Sequence, residues 1–384
     1  MGLIHALQVS FFADPRRRAP EQLLTEWHSL VDVAESAMTA GVRTTVIQAS
    51  HVPGHIQRNG VNYFFMSPPA AESLARSPDF AARLAELAPQ VIHVHGLGFA
   101  RDVVALRELA PRTPMLLQDH ADRAPRFWRR GSWRRGVAAA NGVSFCAREQ
   151  AREFSRRGLL PSHVEVFEIP ESTSGFAPGD RAAARATTGL SGDPCLLSVA
   201  HLDRNKDPLT VLAGVAAALD KLPGLQLWLC FGAAPLFDEV RASIDADPRL
   251  RECVHLLGRV PHERVETLMR AADLFVLGSH REGSSFSLIE ALATGLPPVV
   301  TDIPSLRALT GDGSVGELWR CGDAQSLAAA LIRAAGRVGD AERARTRWHF
   351  EANLSREAVG RSFAAAYQSL IQQSQTRGQA RANS

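Results

Sequence analysis

The stretch Asp273–Pro298, DLFVLGSHREGSSFSLIEALATGLPP, restricts the fold of this chain more than any other. Asp273 to Leu277 is an apolar run of strand length. Gly278 to Ser284 is a polar loop. Ser285 to Ala293 reads as a helix, stopped by Gly295 and Pro297. The chain therefore contains a strand that passes through a short loop directly into a helix.

The same alternation fills the rest of the sequence. Strand-length apolar runs stand at 3–10, 44–49, 62–66, 91–95, 115–118, 143–146 and 165–169, with helical spacing at 21–40, 78–87 and 102–109. Pro170–Asp193, rich in Pro, Gly, Ser and Thr, changes the texture and reads as a linker. Strands then recur at 195–200, 226–231, 253–257 and 299–301, with helices at 208–222, 235–244, 262–272 and 324–336. Strands alternating with helices pair in parallel through right-handed crossovers, under helices on both faces. At 384 residues there is chain for two such domains. The expected fold class is α/β, with two doubly wound, Rossmann-like parallel sheets, one over 1–175 and one over 176–344.

The net charge of +3 makes no case for nucleic acid. Five cysteines (146, 195, 230, 253 and 321) are odd in number and lack C-x-x-C spacing, so they read as small core residues in a reducing compartment. The first residues lack the features of a signal peptide. No apolar run approaches the ~20 residues of a spanning helix. A cytoplasmic protein is expected.

Two strand–helix junctions carry chemistry. Backbone N–H groups at a helix start have no internal partner and carry the positive end of the dipole. Gly283, Ser284 and Ser285 are small enough to admit an anion there. Glu282 precedes this point, and Glu290 lies about two turns beyond. Carboxylates flanking an anion pocket suit a ligand with phosphate in the middle and hydroxyls at both ends, as in a nucleotide-sugar; the alternative is a buried strand–helix unit with two solvated Glu. The second junction is LSVAHLDRNKDPLT, 197–210. Asp207 and Pro208 open a helix as N-cap and N1. Lys206 sits just before it, with Arg204 and His201 upstream, placed to neutralise a diphosphate; the alternative is a solvated loop. Both junctions fall at carboxyl ends of strands in one sheet, where open α/β sheets bind ligands.

With these residues in view, the chain resembles a retaining glycosyltransferase of family 4, with the GT-B fold. EGSSFSLIEALATGLPPVV is similar to that family's E-x7-E signature, with Glu282 and Glu290 in the Glu positions. GRVPHERVETLMRAADLFVLGS, GELWRCGDAQSLAAAL and SVAHLDRNKDP resemble its nucleotide-binding strand and helix, the following segment and its donor-phosphate loop. The resemblance covers nearly all of 195–336. It implies two domains facing a cleft, with the donor on the second and the acceptor on the first. It also implies a C-terminal helix, 345–373, crossing back to the first domain; 374–384 is expected to be a disordered tail. Glu290 would hold the ribose hydroxyls, Glu282 the donor sugar, Lys206 the departing pyrophosphate, and backbone N–H groups of Ser285, Phe286 and Ser287 the β-phosphate. Backbone groups near Arg259 and Val260 would frame the base. His120, in LLQDHADR, would face the donor sugar as a catalytic residue. The family's phosphate-binding Arg is His201 here, its Gly-rich first loop is Ala13–Arg18, and its aromatic–Gly pair is Ser284–Ser285. Asp14, Arg16 and His95 are acceptor-side candidates.

A nucleotide-diphosphate-sugar, UDP- or GDP-linked, is the co-substrate that the resemblance implies, and the acceptor is a sugar, a lipid-linked or a small molecule. Helix dipoles and Lys206 can stabilise the leaving diphosphate without a metal, and no Asp-x-Asp pair stands beside either junction, so no metal and no permanent cofactor are expected. His93 and His95 lie on one strand, and only one is expected to face a given side, His95 being nearer the strand end. Arg126–Arg135, with five Arg among Phe127, Trp128 and Trp133, is either a solvated helix with its aromatics inward or a contact for anionic lipid or acceptor. A nucleotide-sugar epimerase or hydrolase of the same fold, and a non-catalytic nucleotide-sugar-binding subunit, are the alternative functions.

Overall fold

The computed structural model describes residues 3–69, 72–120 and 123–382. The chain divides into two compact units, Met1–Thr173 with Arg356–Ser384, and Ser174–Ser355.

The first unit is built on eight strands: β1 (His5–Ser10), β2 (Arg43–Ala49), β3 (Gly54–Arg58), β4 (Val61–Met66), β5 (Val91–His95), β6 (Met115–Gln118), β7 (Gly142–Phe145) and β8 (Glu165–Glu168). Their order is β3-β4-β2-β1-β5-β6-β7-β8. The central strands β1, β5, β6 and β7 are buried along their whole length, and their mainly apolar runs are interrupted by buried polar residues such as Gln8, His93 and His95. One face packs Leu7, Val9, Ile92, Val94 and Leu117 against helices that carry Phe80, Val103 and Val137. The other face packs Ala6, Val91 and Leu116 against Val359, Phe363, Tyr367 and Leu370 of the final helix. That helix lies close on the helix His28–Thr39, because a Cβ at Gly360 would stand 2.0 Å from the Ser36 carbonyl oxygen.

Four expectations need correction. The helix expected over 21–40 is two, Pro20–Glu26 and His28–Thr39, which meet at Trp27 in a non-helical conformation (φ −103°, ψ 75°). The Trp27 ring is engaged there by Phe12 and by the Arg18 guanidinium. The sheet is not all parallel: β3 runs antiparallel to β4 through a hairpin at Asn59-Gly60, both at positive φ. The single helix expected over 345–373 is also two. Asp340–Asn353 belongs to the second unit and Arg356–Ala382 to the first. The backbone is helical through 374–382, where a disordered tail was expected; residues 383–384 lie outside the described residues.

The second unit holds β9 (Cys195–Val199), β10 (Gln226–Cys230), β11 (Val254–Gly258), β12 (Leu274–Leu277), β13 (Pro298–Thr301) and β14 (Glu317–Trp319). The order is β11-β10-β9-β12-β13-β14, with parallel pairing throughout. The chain builds outward from β9 to β11, then returns to β9's other side with β12. Strand order therefore reverses between β9 and β12, the position at which open sheets leave a crevice. Leu196, Leu212, Leu227, Val276, Val299, Trp319 and Leu327 form the core beneath.

Candidate active site

β9 and β12 are parallel neighbours, so the segments after them leave the same sheet edge. One runs through His201–Asp207 into the helix Pro208–Ala218, the other through Gly278–Ser285 into the helix Phe286–Ala293. Gly278 lets the two loops touch: a Cβ there would be 2.9 Å from the Lys206 carbonyl oxygen and 3.2 Å from that of Asp207. The His280 N–H donates to the Asn205 carbonyl (2.7 Å), and Asn205 Nδ2 donates to the Arg281 carbonyl (3.0 Å). Asp203 Oδ1 accepts from the N–H groups of Asn205 and Lys206, both at 2.9 Å. Asp207, left-handed at φ 46°, caps the next helix by accepting from Thr210 N–H (3.2 Å).

This frame brings Lys206 and Glu282 together. Lys206 Nζ and Ser279 Oγ both donate to Glu282 Oε1, the hydroxyl at 2.6 Å. Ser305 Oγ donates to the Glu282 carbonyl (3.1 Å) and fixes the loop behind it. Glu290 forms a different pair. His262 Nε2 lies 2.6 Å from Glu290 Oε1, with the His262 ring against Phe176. The hydrogen bond to Glu290 raises the His262 pKa above the ordinary histidine value. Sequence reading singled out neither Ser279 nor His262; the position of His262 at the start of the helix after β11 was the available signal.

Gly283, Ser284 and Ser285 are buried at the start of the Phe286 helix, while Phe286 is exposed and Ser287 intermediate. Ser285 stands at the N-cap but makes no side-chain cap, and its buried Oγ has no hydrogen-bond partner among the described residues. A buried hydroxyl left so asks for a ligand or an ordered water. His201 Nδ1 accepts from the Ala233 N–H (3.1 Å), so a neutral ring carries its proton on Nε2. Arg204 and Arg259 are exposed, and Val260 is intermediate. His280 links Asp207 Oδ2 (2.9 Å) to Cys321 Sγ (3.1 Å). Burial, then Asp207, raises the Cys321 pKa, which keeps it a thiol.

The corresponding edge of the first unit is made of imidazoles. His93 and His95 were expected on opposite sides of their strand. Residues two apart share a face, and the two rings stack with centroids 4.7 Å apart. His95 Nε2 lies 3.2 Å from Gln8 Oε1, and its Nδ1 lies 3.1 Å from His120 Nε2. His120 Nδ1 meets Glu171 Oε2 at 2.7 Å. His93 Nδ1 contacts the Tyr367 hydroxyl at 2.8 Å. Burial holds the His93 pKa down to about 3 and that of His95 well below the ordinary value. A neutral His95 that donates to Gln8 from Nε2 accepts at Nδ1 from His120, which fixes the His120 ring between His95 and Glu171. Asp14 is buried, and its carboxylate takes both a bidentate grip from Arg18 and the N–H groups of Arg16 and Arg18. The Arg18 side chain holds its pKa well below the usual carboxylate range. Asp14 thus clasps its own loop, and Arg16 is exposed. In Arg126–Arg135 only Trp133 turns inward; Phe127 and Trp128 are exposed.

Residues 180–345 match the family model described as glycosyl transferases group 1. Among curated proteins, the chain is 29% identical over 216 residues to the D-inositol 3-phosphate glycosyltransferase of Nocardia farcinica, a match covering 54% of this chain and 47% of that protein. The chain thus spans about half the length of this relative. Among solved structures, sucrose-phosphate synthase from Thermosynechococcus elongatus superposes with a TM-score of 0.69 at 20% identity, over 96% of this chain and 99% of that one. Anabaena HepE, solved with UDP and glucose, gives 0.65 at 17% identity, over 96% and 100%. Two doubly wound parallel-sheet units with these structural neighbours give the chain the GT-B fold. No helix among the described residues is long and apolar enough to cross a membrane.

Proposed function

We propose that this chain is a retaining glycosyltransferase that moves a sugar from a UDP- or GDP-linked donor to a hydroxyl of an acceptor. The observation that carries the reading is the meeting of Lys206 and Glu282 on adjacent loops at the β9–β12 reversal, next to an uncapped helix start with the partnerless Ser285 hydroxyl. The matched family model and the nucleotide- and sugar-bound neighbour support it.

In this reading the diphosphate lies across the start of the Phe286 helix. The bond from the anomeric carbon to the diphosphate oxygen breaks, the acceptor oxygen bonds to that carbon, and the acceptor's proton leaves with the diphosphate. Negative charge grows on the leaving oxygen. Lys206 is freed from Glu282 to meet that charge, and the helix dipole adds to it. Glu282, relieved of its cation, accepts hydrogen bonds from sugar hydroxyls, and Glu290 accepts from the ribose. His120, oriented by Glu171 and His95, is the catalytic imidazole of the first unit. The reaction is metal-independent, because Lys206 supplies the positive charge a metal would otherwise bring. The protein works in the cytoplasm, and Arg126–Arg135 with exposed Phe127 and Trp128 gives it a peripheral hold on anionic membrane. Acceptor candidates are sugars, lipid-linked molecules and cyclitol phosphates of the kind named for the curated relative.

The test is product analysis with a panel of UDP- and GDP-sugars. Transfer is expected in the wild type. Lys206→Ala and Glu290→Ala should each lose about 10²–10³-fold, the scale of removing one preorganised electrostatic group, with unchanged melting. Normal turnover in both variants sinks the site assignment, and free sugar without transfer makes the protein a hydrolase.

A further inference from the structure

We propose that the first unit carries a second anion site, distinct from the donor loops, that takes a phosphate monoester. A cavity of about 420 Å³ is lined by Arg76, Arg101 and Arg135, with Ser73, Ser132 and the single acidic group Glu72. That volume is ordinary for a small-ligand pocket. The three guanidinium groups come from three elements: the turn Leu74–Arg76, the helix Ala100–Leu109 and the helix Arg130–Ala138. These follow β4, β5 and β6, so the fold, not one charge run, brings them to one place.

The walls are fixed. Gly136 has no side chain, and a Cβ there would stand 2.5 Å from Ala100 Cα, so the two helices press together at the pocket's base. Trp133 is buried on the inner side of its helix. Ser73 Oγ donates to Asp102 Oδ1 at 2.5 Å, which ties the turn to the helix start. The cations are little used. Arg76 reaches Glu108 only at 3.7 Å, between two exposed side chains, and such pairs contribute little. Among the described residues neither Arg101 nor Arg135 forms a close ion pair, although Arg101 lies near enough to Asp102 to favour its charged form. The Ala100 helix has no side-chain cap at Phe99, and Asp102 in its first turn offsets part of its positive end.

Planar guanidinium forks bind phosphate oxygens in pairs, and three of them, offset by Glu72, leave the positive charge that a dianion balances. The Ser73 and Ser132 hydroxyls already donate, to Asp102 Oδ1 and to the Arg129 carbonyl, so the phosphate is met by the guanidinium groups. Phe127 and Trp128, 74% and 60% exposed, immediately precede the helix that supplies Ser132 and Arg135. The same phosphate could therefore arrive on a soluble molecule or as the headgroup of a lipid. The inference does not rest on the transferase reading.

The experiment uses the full chain and two probes. Glycerol 3-phosphate is titrated by calorimetry. Flotation compares phosphatidylcholine vesicles with and without phosphatidic acid. Binding of either probe by the wild type, weakened at least about tenfold in Arg101→Ala/Arg135→Ala with unchanged melting, supports the site. Binding of the soluble probe alone identifies a small-molecule ligand. Flotation that is also lost in Phe127→Ser/Trp128→Ser identifies a lipid headgroup. Neither probe binding, or equal binding by the double Arg variant, overturns the proposal. UDP titrated against the same double variant should bind as in wild type; loss of UDP binding in every form would count against the donor site and leave this one standing.

Discussion

The two sheets end in opposite electrostatic regimes. At the carboxyl edge of the first, the innermost polar groups are a buried amide, two imidazoles and a phenol joined to one another: Gln8, His93, His95 and Tyr367. Burial disfavours their charged forms, and His93 is pushed down to about 3. At the same edge of the second, polar groups are ions paired across loops, Lys206 with Glu282 and His262 with Glu290, nearer to solvent. There a partner favours the charged form, and the His262 pKa rises. The same architecture thus makes one edge a fixed, neutral inner scaffold with the His120–Glu171 pair beside it, and the other a set of separable charges. A ligand that brings its own charge can replace partners at the second edge, whereas at the first it would have to break a buried network.

The largest effect that would sharpen this contrast is in the scaffold. Tyr367 is fully buried and touches both His93 and Gln8. Tyr367→Ala should cost about 3–5 kcal/mol, as for other large buried aromatics, in denaturant unfolding of the first unit. A cost below about 1 kcal/mol would mean that the network bears no weight. Next in size is a pH effect. Unfolded His93 takes up a proton below about 6.5, while the folded group resists until about 3. The unfolded state therefore binds more protons across that window, and stability falls on acidification by up to about 1.4 kcal/mol per pH unit from this group. His93→Gln should flatten that slope; an unchanged slope would place the acid sensitivity elsewhere. The smallest effect has the opposite sign. His262, raised by Glu290, keeps its pair below the unfolded pKa and loses it as pH rises through the folded one. Pairs this exposed are worth about 0.2–1 kcal/mol. Donor KM should therefore drop by up to about fivefold as pH rises and Glu290 is released, and His262→Gln should abolish the dependence while kcat holds. A KM equally pH-dependent in that variant would detach His262 from donor binding.

Much of the fold was legible because the strands that matter are buried on both faces and read as apolar runs, Leu274–Leu277 above all. β3 was missed for the converse reason: Gly54–Arg58 is mostly exposed and shows no apolar alternation. Its hairpin was nonetheless spelled out in Asn59-Gly60, a pair suited to two consecutive positive φ values. The break at Trp27 had no Pro or Gly to announce it, since tertiary contacts of the ring accompany it. In the site, the residues at strand tips could be picked out, but not their partners. Glu171 is 51 positions from His120, and His262 is 28 from Glu290; local spacing says nothing about such pairs. The misplacement of His93 was an error of period, because a step of two along a strand returns to the same side.

The final helix carries a consequence for biosynthesis. Val359, Phe363 and Tyr367 complete the core beneath Ala6, Val91 and Leu116, yet the whole of Ser174–Ser355 lies between them in the chain. A nascent polypeptide emerges at about 5–20 residues per second. The early sheet must therefore wait on the ribosome with one apolar face bare, while the later, contiguous unit can close as soon as it is out. The first part to be made is the last to be finished, and its uncovered face is the surface a holding chaperone would find.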